Sequence, residues 1–101
     1  MYTSNQRPLA APRCRSEHDF AQTREAWEAA VFDRAEYFSV CEIRNDRRRT
    51  EFDAPRAAVE FARTRPADVG ACLYAVAATG RSIFLDPEKW DEWVTRWEGA
   101  Q

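Results

Sequence analysis

The sequence predicts one α+β domain in which an N-terminal helix is followed by two strand–strand–helix (ββα) units. The chain has 101 residues, 45% of them hydrophobic and 32% charged, and this size and balance are typical of a single soluble core. Two stretches with strand character are each followed by an aspartate and a helical pattern, and Phe52-Asp53 in the first corresponds to Leu85-Asp86 in the second, 33 positions later. Two such units most simply form a four-stranded antiparallel sheet with the helices packed on it.

The first fifteen residues are polar, contain two prolines and show no periodicity. We therefore expect residues 1–15 to form a disordered tail and residues 16–101 to form the domain. Ser16 resembles a helix N-cap, with Asp19 at the acidic position of a capping box. Phe32 falls off the apolar face of the helix that follows, so we expect this helix to end near Asp33. The expected apolar face consists of Phe20, Trp27, Ala30 and Val31.

The first ββα unit begins with the stretch YFSVCEIR over residues 37–44, which is rich in aromatic and β-branched residues and predicts a strand. NDRR supplies turn residues, and RTEF over 49–52 predicts the return strand. Asp53 is expected to cap the helix over 54–63, with Pro55 in its first turn. The apolar arc of this helix is centred on alanines, whose small side chains allow it to lie close to the sheet: Ala54, Ala58 and Ala62, flanked by Val59 and Phe61.

The second unit repeats this plan. ACLYAVAA over residues 71–78 predicts a strand, Thr79-Gly80 a tight turn, and SIFL over 82–85 the return strand. Asp86 followed by Pro87 is a helix start signal, and Gly99 is expected to stop the helix after Glu98.

Three tryptophans lie on one face of this last helix, where Trp90, Trp93 and Trp97 share an arc with Val94. Three exposed tryptophans would show roughly 450–750 Å² of surface, at about 150–250 Å² each. The largest apolar patch of a typical monomer covers roughly 300–600 Å², so such a stripe would be unusually large. We therefore expect the stripe to be mainly core. Trp93 lies at its edge and is expected to be partly exposed, which makes it a candidate partner-binding residue.

Residue types that catalysis or metal binding requires are scarce. His18 is the single histidine, and three scattered glycines form no phosphate loop. A zinc site would have to recruit Cys14, His18, Cys41 and Cys72, which lack the closely spaced pairs of structural zinc sites. Cys41 and Cys72 are expected to be small core residues of strands. The sequence therefore predicts a non-enzymatic protein with no metal and no cofactor.

The three cysteines are too few, and odd in number, for a secreted disulfide framework. The N-terminus lacks the apolar core of a signal peptide, and no apolar run reaches transmembrane length. We therefore expect a reduced, cytoplasmic protein that does not contact a membrane.

The first predicted turn carries a cluster of basic residues, namely Arg44, Arg47, Arg48 and Arg49. These arginines are candidate partner-binding residues, and three interpretations stay open. They form a solvated loop, they contact an acidic protein surface, or they contact nucleic-acid phosphates. Against the last, the formal net charge is −2, with 15 basic and 17 acidic side chains.

The favoured hypothesis is a non-enzymatic protein-binding module, a stoichiometric inhibitor of the kind carried by phages or mobile elements. The chain resembles anti-CRISPR proteins in two respects only, namely its small size and its lack of catalytic motifs. The alternatives are a nucleic-acid-binding protein that uses the Arg44–Arg49 hairpin and an unrecognised thiol protein or enzyme. Homodimerisation through an edge strand or Trp93 is compatible with all three.

Overall fold

The computed structural model describes residues 17–101, with side chains from residue 23 onward. It confirms an α+β fold with a four-stranded antiparallel sheet. The expected tail over residues 1–15 and the Ser16 cap lie outside the described residues, as does the side chain of Phe20. In chain order the elements are α1 (Glu17–Asp33), β1 (Ala35–Glu42), β2 (Arg48–Phe52), α2 (Pro55–Arg63), β3 (Ala71–Ala77), β4 (Ser82–Phe84), a 3₁₀ turn (Pro87–Lys89) and α3 (Trp90–Gly99).

The sheet places its two hairpins side by side, with the strand order β2-β1-β3-β4. The central pair β1 and β3 is antiparallel, and Val40 is the register partner of Leu73. These two residues are 33 positions apart, the same separation that relates Phe52-Asp53 to Leu85-Asp86. The first strands of the two ββα units therefore pair through corresponding positions.

The helices α1, α2 and α3 pack on the same face of the sheet. A single hydrophobic core joins the buried residues of all three helices to alternate residues of the strands. The strand residues in this core include Phe38, Val40, Leu73, Ala75 and Ile83, and the helix residues include Val31, Phe32, Ala58, Val59, Ala62, Trp90 and Val94.

The tryptophan stripe of α3 is mainly core, as predicted. Trp90 is 7% exposed, and its indole Nε1 donates a hydrogen bond to the Leu85 carbonyl at 2.8 Å. Trp93 and Trp97 are half-buried and pack against the core. The ring of Phe32 lies 4.5 Å from Trp93 and 5.8 Å from Trp97, measured between centroids.

The predicted packing face of α1 is wrong in part. Phe32, expected to fall off the face, is fully buried, whereas Trp27 is 43% exposed. Residues 23–27 are all exposed, and Val31 and Phe32 are buried. Among the α1 side chains that the structure describes, from residue 23 onward, the buried ones belong to the C-terminal turn that leads into β1.

Two of the predicted helix ends also differ. Ala54, not Asp53, is the N-cap of α2, and it makes no side-chain cap bond, although Pro55 is in the first turn as expected. Asp86 does accept a hydrogen bond from the Glu88 amide at 3.0 Å, but it caps the 3₁₀ turn and not α3. Gly99 is the last residue of α3 and does not stop it; Ala100 follows as the C-cap.

Candidate binding surface

The sheet has a second face that points away from the helices, because successive side chains of a strand alternate between faces. Leu73 and Ala75 of β3 point into the core, so Cys72, Tyr74 and Val76 point the other way. The strand register extends this face across the sheet. We call it the open face, and its residues are Tyr37, Ser39, Cys41, Arg49, Glu51, Cys72, Tyr74, Val76, Ser82 and Phe84.

The open face has an aromatic and aliphatic part along β3 and β4. Phe84 is 50% exposed, and its ring lies 5.7 Å from that of Tyr74 in an edge-to-face arrangement. Tyr74 and Val76 are half-buried. Because none of the helices α1, α2 and α3 packs on this face, these side chains are accessible to a partner.

Towards β2 the open face becomes polar. Ser39 is only 2% exposed, because its register partners Glu51 and Tyr74 flank its small side chain. Glu51 and Arg49 lie two positions apart on β2 and are exposed. Charges of both signs therefore lie on the β2 side of the open face, and β1 separates them from the apolar part.

Cys41 and Cys72 are not core residues, which corrects the expectation from the sequence. Both are free and half-buried, and they are direct register partners on β1 and β3. They lie on the open face because their neighbours Val40 and Leu73 point into the core. Each lies within a strand, as expected, but on the face opposite to the helices.

A groove with a volume of about 480 Å³ runs between α1 and α3 and adjoins the open face. Trp93 and Phe84 both line it, and Phe84 also contacts Tyr74. The remaining lining residues are mostly charged and of both signs: Arg24, Glu25, Glu28, Ala29, Asp86, Lys89, Glu92 and Arg96. The groove and the apolar part of the open face thus form one continuous surface through Phe84.

The four arginines of the first turn are all exposed. The Arg44 Nη1 donates a hydrogen bond to the Asp68 carbonyl at 2.9 Å and so binds the turn to the loop before β3. Arg47 lies in the turn with a left-handed φ of 53°. Arg48 and Arg49 are consecutive on β2, so their side chains point to opposite faces of the sheet.

Trp93 is also separate from these arginines. Arg48 and Arg49 belong to β2 at one edge of the sheet, whereas the groove that Trp93 lines is bordered by Phe84 of β4, at the other edge. Of the candidate residues named from the sequence, Trp93 lies on the continuous surface, whereas Arg49 lies in the polar part of the open face on β2. Tyr74, Val76 and Phe84 were not singled out from the sequence, although Tyr74 and Val76 alternate with the small Ala75 and Ala77 along β3.

Two exposed ion pairs with two hydrogen bonds each join α3 to the other helices, in addition to the single contact of Arg63 with Asp91 at 3.0 Å. The Arg96 guanidinium donates two hydrogen bonds to the Asp33 carboxylate at 2.7 and 2.8 Å, and this contact lowers the pKa of Asp33 below its ordinary value. Arg56 binds Glu98 in the same way at 2.6 and 2.8 Å, which lowers the pKa of Glu98. Both pairs lie in the helix layer and leave the open face unchanged.

Among the side chains of residues 23–101, no group of three or more His, Cys, Asp or Glu residues is arranged to hold a metal ion. No helix in the described part of the chain is long and apolar enough to span a membrane. Comparison of the chain with protein-family models, with curated proteins and with solved structures finds no match.

Proposed function

We propose that this protein acts by binding another protein, without catalysing a reaction, and that the partner contacts the open face at Tyr74, Val76 and Phe84. The observation that carries the proposal is the one-sided packing of the fold, which places α1, α2 and α3 on one face of the sheet and leaves Phe84 half exposed on the other. Aromatic residues flanked by charged ones are typical of the energetic centre of an interface.

Charge favours a protein over a nucleic acid as the partner. Proteins that bind single-stranded nucleic acid combine aromatic residues with a positively charged groove. Here Glu51 lies beside Arg49 on the open face, and the adjoining groove mixes acidic with basic residues. Arg48 and Arg49 point to opposite faces of the sheet, which argues against one continuous track for phosphates through the first turn. A protein surface that is apolar at its centre and carries both charges at its rim matches this pattern.

Stoichiometric binding of this kind is how small protein inhibitors act, and it requires no active site. The inhibitor hypothesis therefore remains our specific form of the proposal. In this hypothesis the protein covers a surface of its partner, and binding alone is enough to inhibit that partner.

The test is capture of a partner from lysate of the source cells, with and without nuclease, by the natural chain and by three variants. Phe84→Lys places a charge on the open face. Trp27→Lys is the matched control, because Trp27 is an aromatic residue of similar exposure, 43% against 50%, on a different surface. The third variant replaces Arg47, Arg48 and Arg49 with glutamate.

We expect a nuclease-resistant protein partner that Phe84→Lys binds at least about 30-fold more weakly, since a central interface residue contributes roughly 2 kcal/mol or more. Trp27→Lys should bind normally. Circular dichroism and thermal unfolding must show that both variants are folded. Retention of nucleic acid alone, lost in the arginine variant, would overturn the proposal in favour of nucleic-acid binding. Equal binding by Phe84→Lys and the natural chain would exclude the open face.

A further inference from the structure

The open face carries two thiols at adjoining positions of the central strands. Cys41 and Cys72 are register partners, and both are free and half-buried. The chain positions are 31 residues apart, so the antiparallel pairing of β1 with β3 is what brings them together. Two thiols on neighbouring strands can form an intramolecular disulfide, which a single thiol cannot.

The hydrogen-bond pattern fixes the type of pairing. The Leu85 amide donates to the Leu73 carbonyl at 2.8 Å, so Leu73 bonds towards β4. Its neighbour Cys72 therefore bonds towards β1, since successive residues of an antiparallel strand alternate in this respect. The bond from the Ile43 amide to the Gly70 carbonyl, at 3.2 Å, agrees with this alternation. Cys41 and Cys72 thus form a hydrogen-bonded pair, for which the Cα atoms are about 5.5 Å apart.

This spacing suits a disulfide, whose Cα atoms are typically about 5.5–6 Å apart. The Cβ atoms of facing strand residues are about 4.5–5.5 Å apart, whereas a disulfide brings them to about 3.8 Å. Closing the bond therefore requires the two strands to approach or twist locally. A bond formed under such strain is reduced easily, which is a property of labile and regulatory disulfides.

We propose that Cys41 and Cys72 are a thiol–disulfide site that a small disulfide of the glutathione type oxidises reversibly to a cross-strand disulfide. One cysteine thiolate attacks a sulfur of the small disulfide, forms a mixed disulfide and releases one small thiolate. The other cysteine thiolate attacks the protein sulfur of the mixed disulfide and releases the second small thiolate. The two cysteines lose two electrons and two protons, and the small disulfide is reduced to two thiols.

The bond would join the two ββα units covalently, because Cys41 belongs to the first unit and Cys72 to the second. It would form at the centre of the sheet, and its reversal would need only a small thiol. The inference rests on the register of the central strands and is independent of which partner, if any, binds the open face.

The test uses the full chain with Cys14→Ser, which removes the third thiol, equilibrated in buffers of glutathione and glutathione disulfide. Trapping with N-ethylmaleimide and mass spectrometry then counts the free thiols. A matched control moves one thiol two positions along β1 with the substitutions Cys41→Ala and Ser39→Cys. This thiol stays on the open face but lies diagonally to Cys72, at about 7–8 Å, which is beyond the reach of a disulfide.

We expect the Cys14→Ser protein to give one monomeric product that has lost two hydrogens and both alkylation sites, and that dithiothreitol returns to the dithiol. The displaced control should form no intramolecular disulfide, and its single mixed disulfide with glutathione should form at Cys72, since position 39 is only 2% exposed. Mixed disulfides at both positions, intermolecular dimers, or thiols that stay reduced in the folded protein would each overturn the proposal. So would an intramolecular disulfide in the displaced control under the same conditions.

Discussion

At the scale of single residues, the position of a side chain relative to the core decides its importance, and hydrophobicity alone does not. Phe32 and Trp27 lie on the same helix and are both aromatic. Phe32 is fully buried, whereas Trp27 is 43% exposed. The ring of Phe32 contacts Phe38, Trp93 and Trp97 and so joins α1 to the sheet and to α3.

We predict that Phe32→Ala lowers the free energy of unfolding by about 3–5 kcal/mol, because it removes a buried aromatic ring and leaves a cavity. Trp27→Ala is the matched control and should change it by less than about 1 kcal/mol. Urea denaturation followed by tryptophan fluorescence and circular dichroism measures both. Equal destabilisation by the two substitutions would contradict the described docking of α1.

The ion pair between Asp33 and Arg96 predicts a pH-dependent contribution to stability. Binding to Arg96 lowers the pKa of Asp33 in the folded protein, so the ionised carboxylate stabilises the fold. Both side chains are 47% exposed, and solvent screening limits the contribution to less than about 1 kcal/mol.

A folded pKa below the unfolded one gives stability that is present above the unfolded value of about 3.9. This stability is lost as the pH falls through the lowered folded pKa. The Asp33→Asn variant should therefore be less stable than the natural chain at pH 6. The difference should disappear as the pH falls well below 3.9. Thermal unfolding across this range measures it, and a difference that grows on acidification would show the opposite sign.

At the scale of secondary-structure elements, much of the plan follows from local sequence signals. Four strands and two turns occur near the predicted positions, although β1 covers Ala35–Glu42 and not residues 37–44. Helix caps are harder to predict than strands, because an aspartate before a helix caps it only when its side chain reaches a free backbone amide. Asp86 does so and Asp53 does not. The local sequences differ in that proline follows Asp86 directly but lies two positions after Asp53.

The packing of α2 on the sheet depends on small residues. Ala58 is fully buried between the helix and the strands, whereas the adjacent Ala57 is exposed. We predict that Ala58→Leu destabilises the protein by about 1–3 kcal/mol, because the larger side chain overpacks the close contact. Ala57→Leu is the matched control and should be within about 0.5 kcal/mol of the natural chain. Chemical denaturation checks both, and a neutral Ala58→Leu would mean that α2 does not lie close to the sheet.

At the scale of the whole molecule, the arrangement of the elements depends on long-range pairing that the sequence shows only indirectly. The 33-residue separation of Phe52-Asp53 and Leu85-Asp86 indicates the repeated ββα unit. The register of the central strands makes Val40 and Leu73 partners, and this juxtaposition determines which residues share a face. The residues of the thiol pair and of the open face are far apart in the chain, so the sequence alone did not show that they lie together.

The candidate site shows the same limit. The arginine cluster is conspicuous in sequence, but strand alternation sends Arg48 and Arg49 to opposite faces. Trp93 is half-buried in the groove beside Phe84, so its expected partial exposure agrees with its place at the edge of the stripe. No sequence motif marks the apolar part of the open face. It is recognised as a surface because α1, α2 and α3 all pack on the other side of the sheet.

The central claim is that the open face is the surface that binds a partner, and site-specific photo-crosslinking tests it most directly. A photoreactive phenylalanine analogue would replace Phe84 in one protein and Trp27 in another, and both would be irradiated in the source cells. The account predicts one discrete, nuclease-resistant protein adduct from position 84 and none from position 27. Adducts from position 27 alone, adducts with nucleic acid, or no adduct at position 84 would contradict it.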